Sequence, residues 1–196
     1  RKMRIDGREI EKGSKVKWNF LAAEMTVNKI EVPVTVINGV KDGPTVVITA
    51  GVHPNELIGQ AATIELAKEL EPEDVSGTLI FVHIENVMGL QFKYANRSPL
   101  DNVNMNSVFP TGMETGEDMG KDSLHLGVSP TKQAAERIFN TFISLADWHV
   151  DMHGGELFED LDFNIEILPI GTEVDERTRK LARMFKSEKI WEVPQG

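Results

Sequence analysis

Residues 45–56 read Thr45-Val46-Val47-Ile48-Thr49-Ala50-Gly51-Val52-His53-Pro54-Asn55-Glu56. The first six form a continuous run dominated by β-branched side chains, the composition of a strand buried on both faces. The period then changes. From Glu56 to Leu70, the residues Leu57, Ala61, Ile64, Leu66, Ala67 and Leu70 keep roughly helical spacing. A buried strand thus runs into a helix, with His53 and Glu56 in the turn between them.

The alternation continues outward from that unit. Thr78–Val82 reads as a second buried strand running on towards Glu85. Thr131–Leu145 reads as a helix with Ala134, Ala135, Ile138, Phe142 and Leu145 on one side, and Ala146–Met152 as a third strand. Val174–Phe185 predicts a last helix and Ile190–Val193 a further strand. Towards the N-terminus, Lys15–Phe20 and Ile30–Ile37 alternate as strands do, and Lys41-Asp42-Gly43-Pro44 predicts a turn. Asn86–Thr111 reads as irregular and Asn-rich, and Gly112–Gly127 as a polar, glycine-rich mobile loop. Strands alternating with helices predict an α/β fold with a mixed, mainly parallel sheet flanked by helices. The expected organisation is an N-terminal β segment over residues 1–43 leading into a catalytic domain over 44–196. Ligands of such sheets bind beyond the carboxyl ends of the strands.

Composition narrows the function. The 196 residues carry 31 acidic and 21 basic side chains, a net charge of -10, which argues against a nucleic-acid partner. No run of eighteen or more apolar residues predicts a membrane span. The basic start, Arg1-Lys2-Met3-Arg4, lacks the apolar segment of a signal peptide, although the chain need not begin where its gene does. With no cysteine, a disulfide framework is excluded, any metal site must use His and carboxylates, and a cytoplasmic location is expected.

Asp151-Met152-His153-Gly154-Gly155 closes the third strand as His53 closes the first. The glycines let the backbone turn sharply beside His153. His53, Glu56 and His153 are therefore expected at one edge of the sheet. Two His and one Glu form a catalytic zinc set with an open fourth position. His149 alternates with Asp151 and His153 and is the competing third ligand, but a strand-end site favours His153. Asp151 reads as a supporting or backbone-bonding group, His83 as a core or sheet-face histidine, and His125 as a solvated loop residue.

Four segments together resemble the succinylglutamate desuccinylase/aspartoacylase family, within the zinc carboxypeptidase-like hydrolases. Gly51-Val52-His53-Pro54-Asn55-Glu56 is similar to the family's G-x-H-G-x-E, with Pro54 in the usual Gly position. Gly77-Thr78-Leu79-Ile80 with Asn86 resembles its second strand and N-P turn. Arg97 with Asn104-Met105-Asn106-Ser107-Val108-Phe109-Pro110 resembles its R…D/N-L-N-R-x-F-P. Asp151-Met152-His153-Gly154-Gly155-Glu156-Leu157 resembles its D-L-H-G-G-D/E-L. The resemblance implies one Zn(2+) per chain on His53, Glu56 and His153. It implies that Arg97 stabilises the oxyanion and contacts substrate, that Asn106 holds the substrate, and that Asn104 orients the first His from behind. Ser107 stands where the family carries an Arg that grips a substrate carboxylate. Either another cation supplies that contact or the substrate lacks the group.

The resemblance also implies a general-base Glu on a late strand. Between His153 and Gly196 the nearest by position are Glu166 and Glu192, both of which read as ordinary sheet residues. The expectation is a domain without its C-terminal strands. The implied activity is zinc-dependent hydrolysis of an amide in a small N-acyl amino acid or related small molecule. The alternatives are a carboxypeptidase-like peptidase, which would need an open groove, and a non-catalytic metal-binding module, which Ser107 and the missing base would suit. Oligomeric state is left open.

Overall fold

A computed structural model describes residues 2–109 and 129–193. The chain divides into two compact units, Arg1–Phe158 and Glu159–Gly196. The first unit opens with a hairpin of β1 (Met3–Ile5) and β2 (Arg8–Ile10), which the sequence suggested only as part of an N-terminal β segment. Its centre is a five-stranded sheet of β3 (Ser14–Glu24), β4 (Lys29–Asn38), β5 (Lys41–Ala50), β6 (Ser76–Val82) and β7 (Trp148–Met152), in the order β3-β4-β6-β5-β7. The sheet is mixed: β3 to β4 and β4 to β6 are antiparallel, whereas β5 is parallel to both β6 and β7. The parallel half carries the strand ends on which the site was expected. The N-terminal β segment contributes β3 and β4 to this same sheet.

Helix α1 (Leu57–Glu69) follows β5, α2 (Val87–Phe92) follows β6, and α3 (Pro130–Thr141) precedes β7. Two expectations change here. The turn predicted at Lys41–Pro44 is the irregular start of β5, whose register shifts between Lys41 and Thr45. The Asn-rich stretch after β6 contains α2, because the Asn86 Oδ1 accepts the Gly89 N–H and caps its first turn. The expected Gly112–Gly127 loop and His125 lie outside the described residues.

Apolar side chains fill both faces of the sheet. On one, Phe20, Val32, Val34 and Val36 pack with Ala134, Ala135, Ile138 and Phe142 of the α3 segment, and the Phe20 and Phe142 rings meet edge to face at 4.8 Å. On the other, Ile37 and Phe81 pack against Ala67 of α1. The alternation seen in the sequence of β4 is thus a division between two cores. In the second unit, β8 (Asn164–Ile167) and β9 (Lys189–Glu192) pair in parallel, with α4 (Glu173–Met184) between them in sequence. Glu166 and Glu192 lie in these strands, and Glu192 pairs with Arg179 of α4 at 2.6 and 2.9 Å. No helix among the described residues is long and apolar enough to cross a membrane.

Candidate metal centre

The turn between β5 and α1 is built to present two side chains at once. Gly51 takes φ +72°, a left-handed conformation that redirects the chain as it leaves β5. The Glu56 N–H returns to the His53 carbonyl at 3.3 Å, and Gln60 Nε2 donates to the Pro54 carbonyl at 2.9 Å. Glu56 occupies the N-cap of α1, yet its side chain makes no capping hydrogen bond. Its carboxylate is turned to the histidines instead.

Gly59 brings the second half of the site close. A Cβ there would lie 2.6 Å from the Met152 carbonyl oxygen, so only glycine lets the first turn of α1 approach the end of β7 this tightly. That approach sets Glu56 against the Asp151–Gly154 segment. Glu56 Oε1 lies 2.8 Å from His53 Nδ1, and Oε2 lies 3.0 Å from His153 Nδ1. Oε2 also accepts the Gly154 N–H at 2.9 Å. The imidazoles stand edge to face with centroids 5.1 Å apart. Ligand atoms of His53, Glu56 and His153 all fall within 4.8 Å of one another, and these three form the one such cluster among the described residues. Two imidazoles and a carboxylate at this spacing suit a borderline-soft divalent ion.

The charges are balanced around His153. Burial of Glu56 opposes its ionisation, but the contacts with His153, His53 and the Gly154 N–H prevail and hold its carboxyl at about 2. His153 is pushed up to about 10 by Asp151 first and Glu56 second, against the effect of its own burial. His153 thus stands between two carboxylates, surroundings that favour a positive charge there, whether a proton or a metal cation. Asp151 Oδ2 lies 3.1 Å from His153 Nε2, and its Oδ1 accepts the Thr49 hydroxyl at 2.7 Å.

The other expected residues make contacts of their own. His149 Nε2 lies 3.1 Å from the Thr49 hydroxyl and does not belong to the cluster. His83 is buried between two hydroxyls, with Nε2 2.8 Å from Thr35 Oγ1 and Nδ1 3.2 Å from Thr63 Oγ1, as a core histidine would be. Arg97 pairs with Asn104 through an isolated antiparallel bridge, and its Nη1 donates to the Asn102 carbonyl at 2.8 Å. Asn104 was expected behind His53. Its Oδ1 instead accepts the Asn106 N–H at 3.1 Å, capping the short 3-10 turn Met105–Val108, and among the described residues it makes no hydrogen bond to His53. His53 Nε2 is correspondingly buried without a described partner. Asn106 is exposed on that turn, and the Ser107 N–H returns to the Asn104 carbonyl.

One residue near the centre escaped the sequence reading. Glu85 continues β6 past its end, with its N–H on the Ala50 carbonyl at 2.9 Å, and is 2 % exposed. Burial drives its carboxyl well above the ordinary range, and the Asp151 charge adds to the rise while His153 opposes it. A single Glu at a strand end gives no sequence signal of this burial, which depends on the pairing of β6 with β5.

The family model described as the succinylglutamate desuccinylase/aspartoacylase catalytic domain matches residues 42–157, more than half of the chain. The chain belongs to this family. Within the family, the solved succinylglutamate desuccinylase/aspartoacylase of Rhodobacter sphaeroides is 26% identical with a TM-score of 0.72, covering 92% of this chain and 52% of that one. The N-alpha-acetyl-L-2,4-diaminobutyric acid deacetylase of Halomonas elongata is 31% identical over 128 residues, 64% of this chain and 32% of that protein. A more distant likeness is bovine thrombin-activatable fibrinolysis inhibitor in complex with tick carboxypeptidase inhibitor, at 14% identity and a TM-score of 0.58, covering 85% of this chain and 62% of that one. That likeness shows the carboxypeptidase-like fold alone. The chain spans about half the length of the Rhodobacter relative and about a third of the Halomonas one.

Proposed function

We propose that this protein is the metal-binding part of a zinc-dependent amidohydrolase that removes an acyl group from a small N-acylated amino acid or related compound. The observation that carries the reading is the convergence of His53, Glu56 and His153, with their ligand atoms within 4.8 Å. Their family membership and the Halomonas relative, whose name is that of a deacetylase of an acetylated amino acid, support the amide as the bond cleaved. One zinc ion per chain, held by these three side chains, would supply Lewis-acid polarisation of the carbonyl and acidify water.

The chain's own groups divide the remaining work. Glu56 is held ionised between the two Nδ1 atoms, so it stays a ligand across the neutral range. Asp151 holds His153 from behind and fixes which ring nitrogen faces Glu56. Arg97 steadies the developing oxyanion and, with Asn106, orients the substrate; it lies on the segment tied back through the bridge to Asn104. Asn104 supports this arm by fixing the turn that presents Asn106.

The test is hydrolysis of a panel of N-acyl amino acids by the zinc-loaded protein and its Arg97→Ala variant. Wild-type turnover should fall by roughly two to three orders of magnitude in Arg97→Ala with zinc content unchanged, the scale of one lost oxyanion donor. An unchanged rate would remove Arg97 from the mechanism. No turnover of any acyl amino acid by a fully zinc-loaded protein would leave a metal-binding module.

A further inference from the structure

A shallow cavity of about 410 Å³, open to solvent, lies on the face of the sheet that carries α1, and its lining includes none of the residues of the metal centre. Lys17 and Asn19 of β3 line it from the sheet, Ile64 and Lys68 from α1, with Thr35 and His83 in its wall. Ile64 and Lys68 lie eight and twelve residues beyond Glu56, so about 12–18 Å of helix separate this cavity from the metal centre. The volume is at the lower end of the range for small-molecule sites.

The chemistry of the lining is one-sided. Lys15, the neighbouring lysine on the same face of β3, is consumed: its Nζ donates to the Lys68 and Leu70 carbonyls and pairs with Glu71 at 2.9 Å. That contact ties down the C-terminal end of α1 and neutralises the nearby acid. Lys17 and Lys68 form no ion pair among the described residues, although the chain carries 31 acidic side chains against 21 basic ones. After burial, the Lys17 charge is the second cause holding His83 down, so that charge is felt at the cavity wall. Both ring nitrogens of His83 are already engaged by Thr35 and Thr63. Among the described residues the cavity therefore offers two exposed ammonium groups outside any ion pair, the exposed Asn19 amide and an apolar wall at Ile64, with no acid in its lining.

We propose that this cavity binds a small organic anion, a short-chain carboxylate or dicarboxylate, at a site separate from the metal centre. The ammonium groups take the carboxylates and the Ile64 wall takes the carbon chain. This inference stands apart from the amidohydrolase reading and does not need it.

The experiment is a titration of the zinc-loaded protein with succinate, followed by NMR at the Asn19 and Thr35 amides and the His83 ring, with inorganic phosphate as the comparison. Saturable shifts at these three positions are expected, with phosphate several-fold weaker. Lys17→Ala and Lys68→Ala should each weaken succinate at least fivefold, whereas Lys17→Arg should retain binding. His153→Ala, which alters only the metal centre, should leave the shifts unchanged. The proposal is overturned if no saturable shift appears, if both alanine variants bind as wild type does, if His153→Ala abolishes the effect, or if phosphate binds as well as succinate.

Discussion

His83 and His153 both stand just past the end of a strand of the central sheet, on β6 and β7, which flank β5 in its parallel half, and they have opposite chemistry. His153 lies between the carboxylates of Asp151 and Glu56 and is pushed up to about 10. His83 lies between the hydroxyls of Thr35 and Thr63, stacked on Phe81, and is pushed down to about 4 by burial and then by Lys17. A strand end supplies the position, but the neighbours decide whether a histidine attracts a cation or excludes one. Carboxylates favour charge on the ring; burial among neutral hydroxyls forbids it.

The contrast can be broken by pH. Between about pH 6.5 and 4 the unfolded chain takes up a proton at His83 that the folded chain refuses, so stability falls as the pH falls through that window. The expected loss attributable to His83 is roughly 3 kcal/mol at its full extent. Denaturant unfolding of wild type against His83→Gln, at pH 7 and at pH 4, measures it. The glutamine variant should lose much less on acidification, and an identical loss would show that His83 is not held neutral.

The charged side of the comparison is sharpened by Asp151→Asn, which keeps the shape but removes the carboxylate behind His153. Zinc affinity should fall by about 10–100-fold, the scale for a lost partner of a metal-ligating histidine, as read by competition with a chelator. Gly59→Ala probes the close approach that brings the two halves of the centre together. The added Cβ meets the Met152 carbonyl oxygen at 2.6 Å, so stability should drop by about 1–3 kcal/mol, with zinc weakened as well. The smallest effect is expected from Thr63→Val, which removes one hydroxyl from His83. It should cost about 1 kcal/mol in thermal or denaturant unfolding and leave zinc affinity unchanged.

How much of this was legible in the sequence follows from how local each feature is. His53 and Glu56 are three residues apart on one strand-to-helix turn, and His153 closes a strand in Asp-x-His-Gly-Gly, so the residue pattern alone could bring them to one sheet edge. The helices α1, α3 and α4 were readable from apolar spacing. By contrast, α2 depends on the Asn86 cap inside a stretch whose asparagines suggest irregular chain. The short β1, β2 and β8 strands offer too few residues for alternation to register. The burial of Glu85 depends on register between β6 and β5, and the turn of Asn104 toward Asn106 on a local bond that competes with reaching His53. His83 was readable as a core residue but its two threonine partners, from β4 and α1, were not.

The most direct test of the account is zinc stoichiometry after equilibrium dialysis, compared across wild type, His53→Ala, His153→Ala, His149→Ala and His83→Gln. About one zinc per chain is predicted for wild type, His149→Ala and His83→Gln, with His53→Ala and His153→Ala each losing most of it, as removal of one of three protein ligands requires. Full zinc in His153→Ala together with loss in His149→Ala or His83→Gln would contradict the account, because the cation would then follow a histidine that lies outside the Glu56 cluster.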